Sequence, residues 1–358
     1  MRQSMAVATL SDQPNMDIQI SLLTPSDETE WNRYVDAHPL ATAAHRAEWK
    51  ELIKRVFGKR SFYLIARSGG EIVGVLPLVH MRSLLFGNFI VSVPYLNYGG
   101  VLANNSAIEA KLLDEAARIA QSVGATSVEY REQVQKPIDM PCRLDKVAML
   151  LQLPDTEEQL AKQLGSKLRS QIKRPQRENP QISIGRGELV TDFYEVFSRN
   201  MRDLGTPVYS KNLFREVLET FPSAYIIVIY WQGKPVATAF LLGYRGVLEI
   251  PWASTVQEVN HLSMNMLLYW EVLRSAIAKG YKEFDFGRST KDAGTYRFKK
   301  QWGAEPKQLY WYSWLKAGES LPELKPDNPK FDLAIRVWKK MPLRLTKMCG
   351  PALVKHLP

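Results

Sequence analysis

Apolar and polar positions along this chain follow two periods, one near 3.6 and one of 2, and the periods come in blocks. Ile18 to Leu22 alternates as a short strand. SDETEWNRYVDAH, from Ser26, has the Ser or Asp cap and the acidic first turn of a helix, and ATAAHRAEWKELIKRVFG repeats that pattern. The second segment sets His45 and Trp49 one turn apart, either as a core-facing pair or as the wall of a pocket. Strand patterns follow in quick succession: SFYLIAR, EIVGVLPLVHMR, LLFGNFIVSVP and NYGGVLA. Gly69 and Gly70 between apolar runs predict a hairpin, and Gly74 with Pro77 marks a bulge or a sheet edge. NSAIEAKLLDEAARIAQSVG is an amphipathic helix with an Asn or Ser cap and a glycine stop, after which ATSVEYRE returns as a strand.

From Asp155 the pattern changes. DTEEQLAKQLGSKLRSQIKRPQREN predicts one capped helix ended by Pro175, acidic at its start and basic beyond: Lys162, Lys167, Arg169, Lys173, Arg174 and Arg177 meet only Glu178 of opposite sign. It is either a solvated interdomain helix or a ridge that faces phosphate. The first order of elements then recurs. ISIGRGEL is a strand, TDFYEVFSRNMRDLG and SKNLFREVLETF are helices, AYIIVIYW, KPVATAFLLGYR and VLEIPWAS are strands, NMLLYWEVLRSAIAKG is a helix, and KEFDFG and PKQLYWYSWL are strands. Both halves run strand, two helices, about three antiparallel strands, helix, strand: an internal duplication with little sequence identity. The fold class this predicts is α/β in the α+β sense, with mixed, largely antiparallel sheets flanked by helices.

Length agrees with the duplication, since 358 residues suit two domains, either able to bury its own core. The expected divisions are a disordered lead-in at 1–16, a first domain at 17–153, a basic bridging helix at 154–180, a second domain at 181–318 and a basic amphipathic tail at 319–358. Hydrophobic residues make up 45% and charged residues 23%, which excludes extensive disorder. A net charge of +10 points to an anionic partner: a phosphorylated substrate, RNA or an acidic lipid surface. Two isolated cysteines and five histidines offer neither a disulfide framework nor a spaced metal motif, so a reducing cytoplasm and no metal are expected. MRQSMAVATLSDQPNMD lacks the apolar core of a signal peptide, and no window reaches 18 uninterrupted apolar residues.

Three stretches carry candidate chemistry. TPVYSKN sits between two helices, with Arg202 on the helix before it and Tyr209 in the loop; both suit an anionic group, and both equally suit packing of the loop. Residues 249–273 pass from a strand into a helix start, where backbone amides bind anions and Asn260, His261 and Ser263 add donors; capping is the plainer role for each. Phe284 to Gly303 is the most distinctive, a strand broken at Gly287 that runs through a polar loop into an aromatic and basic close. DFG is not a kinase signature here, because no VAIK strand or HRD loop accompanies it. Asp285 and Arg288 are expected to pair and brace the loop, while Tyr296 and Phe298 precede Lys299 and Lys300, so that one ammonium is held against an apolar wall near developing negative charge.

LPLVHMRSLLFG, SVPYLNYGG, MRDLGTPVY, FDFGRST and GTYRFKKQWGAEP together resemble the FemAB-like branch of acyltransferases with the GNAT fold, in particular the group associated with exosortase and PEP-CTERM exopolysaccharide loci. The resemblance covers about residues 17–315 and implies two tandem GNAT-like domains. It implies transfer of an amino acid from its tRNA ester to an amine on a peptidoglycan precursor. Phe298 and Lys299 match the family's aromatic-lysine pair at the transfer site, with Lys299 stabilising the carbonyl oxyanion; Arg202 and Tyr209 fall where the family holds the precursor's anionic portion. Tyr296, Arg288, Asn260 and Ser263 complete the expected substrate contacts, and Asp285 or a substrate group takes the amine's proton. The two-helix arm of some Fem proteins is absent, which leaves the donor open between aminoacyl-tRNA and acyl-CoA, a co-substrate in either case. An N-acyltransferase acting on an amino sugar of an exopolysaccharide precursor stays open, as does a noncatalytic scaffold for glycan precursors or RNA. No Q/RxxGxG/A pyrophosphate loop is evident.

Residues 330–358 interleave Lys330, Arg336, Lys339, Lys340, Arg344, Lys347 and Lys355 with apolar side chains against Asp332 alone. Such a segment either lies in a membrane interface or docks back on the body. The expected partner is an anionic or lipid-linked sugar precursor, met at the inner face of the cytoplasmic membrane.

Overall fold

The computed structural model describes residues 17–83, 86–321 and 329–357. The lead-in expected at 1–16 lies outside them. Strands β1 (Ile18–Leu22), β2 (Ser61–Ser68), β3 (Glu71–Ser83), β4 (Gly87–Val91), β5 (Leu102–Ala103) and β6 (Ser127–Glu132) and helices α1 (Glu28–Ala37), α2 (Glu48–Phe57) and α3 (Ser106–Ser122) form the first half. Strands β7 (Cys142–Arg143) and β8 (Lys146–Gln152) and helices α4 (Glu157–Gln163) and α5 (Ser166–Gln176) connect it to the second. There, β9 (Gln181–Gly185), α6 (Val190–Leu204), α7 (Lys211–Thr220), β10 (Ala224–Trp231), β11 (Lys234–Tyr244), β12 (Val247–Thr255), α8 (Met264–Ala278) and β13 (Glu283–Thr290) repeat the first order. The chain closes with α9 (Gly294–Lys300), β14 (Glu305–Gln308), β15 (Tyr310–Leu315), α10 (Pro329–Lys340) and α11 (Leu343–Val354).

Two sheets result, each with one parallel pair near its middle. The first runs β1-β2-β3-β4-β6-β15-β7, with β5 beside β3, and the second runs β14-β8-β13-β12-β11-β10-β9. The duplication read from the sequence is therefore present strand for strand. Next to the last strand of its own half, however, each sheet takes a strand from the other. β15, from the end of the second half, pairs antiparallel with β6, while β8, from the end of the first, pairs with β13 and β14. The division expected at residue 153 falls after β8, a strand that belongs to the second sheet. Hydrophobic alternation gives a strand its faces but not its neighbours, and PKQLYWYSWL satisfies either sheet.

The cores show how closely the halves are joined. One apolar cluster unites Trp31, Trp49, Leu52 and Tyr63 of the first half with Phe193, Phe214, Phe240 and Trp252 of the second. Each sheet buries its other face separately, the first with α3 and the second with α5 and α8. The halves do not keep one private core each, because α1, α2, α6 and α7 all contribute their apolar stripes to the shared cluster. His45 lies in a 3-10 turn before α2 rather than on it; its buried ring contacts the Gly100 carbonyl at 3.1 Å.

The bridge differs from expectation, and the tail takes one of its two expected courses. The bridge is two helices, parted at Gly165, with Pro175 inside the last turn of α5. Leu160, Leu164, Leu168 and Ile172 bury against the second sheet's outer core and leave most of the basic residues exposed. The tail docks on the body through α10 and α11, both against α6. Trp338, Thr346 and Val354 are buried there, and the Tyr95 hydroxyl donates to the Lys355 carbonyl at 2.9 Å.

Candidate active site

The site begins where β12 and β13 run parallel. Val247, Leu248 and Glu249 pair with Glu283, Phe284 and Asp285, after which the strands part. Because side chains alternate across a sheet, Leu248, Ile250, Phe284 and Phe286 enter the outer core, while Glu249, Glu283 and Asp285 face the first half. They border a cavity of about 280 Å³ between the halves, shared with Tyr98, Gln133, Arg245 and Lys307.

Gly287 then changes the phase of β13. Asp285 lies opposite Leu150 and Arg288 opposite Ala148, so three steps on β13 span two on β8, the mark of a β-bulge. Gly287 takes φ +74°, which glycine adopts without a Cβ penalty, and its N–H donates to Asp285 Oδ1 at 2.7 Å. In an unbroken strand, residues 285 and 288 would face opposite sides; the bulge turns both toward the first half.

A buried carboxyl, Asp285, and a half-buried one, Glu249, face each other across the parallel pair. Asp285 Oδ2 accepts the Tyr98 hydroxyl at 2.6 Å, and Glu249 Oε1 accepts Asn97 Nδ2 at 2.7 Å. Burial raises both above the carboxylate range, and for Glu249 the neighbouring Asp285 charge adds to it. Asp285 receives two strong donors against one for Glu249, so a proton shared by the pair resides mainly on Glu249. Lys299, on α9, is buried and donates to the carbonyls of Gly287 at 3.0 Å and Arg288 at 2.9 Å. Burial pushes its ammonium down to about 8, against the pull of Asp285. Two of its three N–H groups thus hold the bulge and one is left over.

Asp285, Arg288 and Lys299 therefore come together around one bulge. The expected Asp285–Arg288 pair does not form among the described residues: Asp285 takes Tyr98 and Gly287, and Arg288 stacks on Trp311 at 5.1 Å. First-half Tyr98 and the exchanged strand's Trp311 thus satisfy the two side chains separately. Phe298 is half-buried, edge-on to Tyr269 at 4.9 Å, and Tyr296 is buried in the outer core. Tyr209 packs among Phe57, Tyr95 and Trp252, near enough to Arg288 and Arg131 to feel their charge. Arg202 lies outside the cavity and is paired with its neighbour Asp203 at 2.6 Å. Asn260 is exposed, and Ser263 occupies a left-handed residue before α8 with no side-chain cap; neither lines the cavity. Among the described residues, no group of three or more His, Cys, Asp or Glu is placed to hold a metal ion.

Sequence reasoning missed Glu249, Asn97, Tyr98 and Trp311 as site residues. An acid between Leu248 and Ile250 in an apolar strand is a readable signal, of the same kind as Asp285 between two phenylalanines. Tyr98 and Trp311 carry none, since each reaches the site from a distant part of the chain.

Comparison with known proteins bears on this geometry. A family model described as an acetyltransferase (GNAT) domain matches residues 166–300, a span that ends just beyond Lys299. No curated protein matches the chain. Among solved structures, FemX is similar with a TM-score of 0.62 at 13% identity, covering 82% of this chain and 97% of its own. A tandem GNAT protein from the clavulanic acid biosynthesis pathway is similar at 0.54 and 14% identity, covering 85% and 100%. L-PGS from Bacillus licheniformis is similar at 0.55 and 13% identity, covering 88% and 98%. At such identities the likeness is one of fold, and with the two sheets and their shared order it makes the chain a tandem of two GNAT-like units.

Proposed function

We propose that the protein transfers an acyl or aminoacyl group to an amine, forming an amide on a cell-envelope or exopolysaccharide precursor. The observation that carries this reading is the Glu249–Asp285 pair, a half-buried and a buried carboxyl on parting parallel strands, facing an inter-half cavity and backed by the buried Lys299 ammonium. An amine arrives as an ammonium and must lose a proton before it attacks; the ionised member of the Glu249–Asp285 pair attracts the cation and accepts the proton. Attack on an ester or thioester carbonyl puts negative charge on its oxygen, and the Lys299 ammonium, with one N–H not engaged by the bulge carbonyls, is the donor assigned to it. As the tetrahedral adduct collapses, the C–O or C–S bond breaks and the second proton of the attacking nitrogen passes to the leaving oxygen or sulfur, which departs as an alcohol or thiol while the amide forms.

The donor is an activated ester or thioester, aminoacyl-tRNA or acyl-CoA. The match of residues 166–300 to an acetyltransferase model favours testing acyl-CoA first. Incubation with each donor class and amine acceptors, read by mass spectrometry, tests the activity; nuclease treatment abolishes transfer only if the donor is tRNA. Comparing precursors from cells with and without the protein identifies the added group by mass. Turnover by Lys299→Ala at the wild-type rate overturns the oxyanion role, and failure of every donor supports a binding scaffold.

A lipid-linked acceptor fits the docked tail. Leu333 is 65% exposed, Val337 53% and Met348 69%, beside Arg336, Lys340 and Arg344. Exposed apolar side chains flanked by cations suit a bilayer rich in anionic headgroups. Among the described residues, no helix is long and apolar enough to cross a membrane, so contact would be peripheral.

A further inference from the structure

We propose that Arg288, Arg131 and Tyr209 frame a site for one substrate oxyanion, a carboxylate or a phosphate; that the oxyanion belongs to substrate rests on the transfer reading above. The two guanidinium carbons lie 5.1 and 4.8 Å from ring centroids of the same residue, Trp311. Arg131 is matched: its Nε meets Glu129 Oε1 at 2.9 Å and its Nη1 donates to the Leu96 carbonyl at 2.7 Å. Arg288 is not. Among the described residues it has no carboxylate partner, and its Nη1 is buried without an acceptor. The indole N–H of Trp311, the ring beneath it, is likewise buried and unpaired.

A guanidinium keeps its charge in the interior and presents a planar fork of donors. Leaving it unpaired is among the costlier things a fold can do, and a second guanidinium on the same ring adds repulsion. Burial and the Arg131 charge accordingly pull Arg288 down to about 10. Burial raises the Tyr209 phenol overall, and both arginines are close enough for their charges to oppose that rise. Apart from the Glu129 carboxylate, which is paired with Arg131 and whose charge also reaches Arg288, the groups around Arg288 are donors, which matches a group that is almost purely acceptors. This set also contrasts with the Glu249–Asp285 carboxyl pair next to it. Asp285 and Arg288 sit two β8 positions apart, on the order of 7 Å along the strand. A substrate carrying an amine and an oxyanion at about that separation would engage both at once.

The test measures binding without catalysis, on the full chain. Inorganic phosphate and acetate are titrated separately by thermal shift and calorimetry, with ionic strength held by chloride. We expect saturable stabilisation by phosphate or by acetate, the stronger arm naming the oxyanion, and a loss of affinity of about tenfold or more in Arg288→Met, as for removal of one bidentate charge-assisted contact. Without the anion, Arg288→Met should melt higher than the wild type, since it removes a half-buried guanidinium whose Nη1 is buried without an acceptor; a residue needed only for structure would melt lower. Arg288→Lys, which keeps charge but not the fork, should bind more weakly than wild type even if Arg288→Met does not fold. The surface variant Arg118→Met should bind as the wild type does. No response beyond chloride, or undiminished binding by Arg288→Lys, overturns the site. Oxyanion binding in a protein that transfers nothing leaves the site standing and removes the transfer reading instead.

Discussion

At Gly287 a single residue decides which side chains meet. Its φ of +74° forms the bulge, the bulge places Asp285 and Arg288 on one face, and an added Cβ would sit 3.1 Å from Asn97 Nδ2. Gly287→Ala should therefore cost about 1–2 kcal/mol from backbone strain alone, plus displacement of Asn97 from Glu249. Unchanged stability in denaturant unfolding would show that the bulge relaxes freely. The titrating groups give a second prediction at this scale. If the Glu249–Asp285 pair accepts the amine's proton, transfer rises with pH as the pair ionises, between about 6 and about 8. It falls again as Lys299 loses its proton at about 8. A bell-shaped rate profile is expected, and Lys299→Arg, which stays charged, should lose the descending limb. Stability has its own signs. The carboxyls hold their protons more tightly folded than unfolded, so their contribution is full below the ordinary carboxylate values and is lost as pH rises through the folded ones. Lys299 releases its proton more readily when folded, so stability recovers as pH climbs from about 8 toward the ordinary lysine value of 10.5.

Among elements, the exchange of β8 and β15 does most to build the site. β15 brings Trp311 beneath Arg288 and Arg131, and β8 supplies Ala148 and Leu150 behind Tyr98. An isolated fragment of residues 1–153 would lack β15, expose the β6 edge and leave α1 and α2 without α6 and α7. It should show no cooperative thermal transition by circular dichroism; a sharp, reversible melt would mean that the first half is an independent domain. The helices are legible for local reasons. Asn105 caps α3 by accepting from the Ile108 N–H, as its sequence indicates, and Ser210 caps α7 through the Leu213 N–H. The bridge reads as one helix only if Gly165 counts as a helix residue rather than as a break. Buried Leu160, Leu164, Leu168 and Ile172 set its packing, and the basic residues between them obscure that stripe in the sequence.

For the molecule as a whole, basic charge is spread over the bridge and the tail, while the cavity between the halves sets Glu249, Glu283 and Asp285 together with Arg245 and Lys307. If the tail meets a membrane, the protein should sediment with vesicles containing phosphatidylglycerol and not with neutral ones, and 0.5 M salt, on the order of three times physiological strength, should release most of it. Leu333→Glu with Val337→Glu should abolish the association without lowering the melting temperature, since both side chains are exposed. Association that survives both charges would place the contact elsewhere. The docked α10 and α11 leave room for both readings of the tail: one side buries Trp338 and Thr346, and the other leaves Leu333, Val337 and Met348 in solvent.

The sequence alone determined the strand and helix periods, the tandem order of elements, the glycine break in β13 and the acid set among its apolar residues, because each depends on neighbours a few positions away. Only the tertiary structure decided that β8 and β15 trade sheets, that Glu249 faces Asp285 across a parallel pair, and that Arg288 lies on Trp311 rather than against Asp285. Those contacts depend on elements far apart in the chain. Alternation gives a strand two faces but no address, so its partners follow from which arrangement buries the most apolar surface across both halves at once.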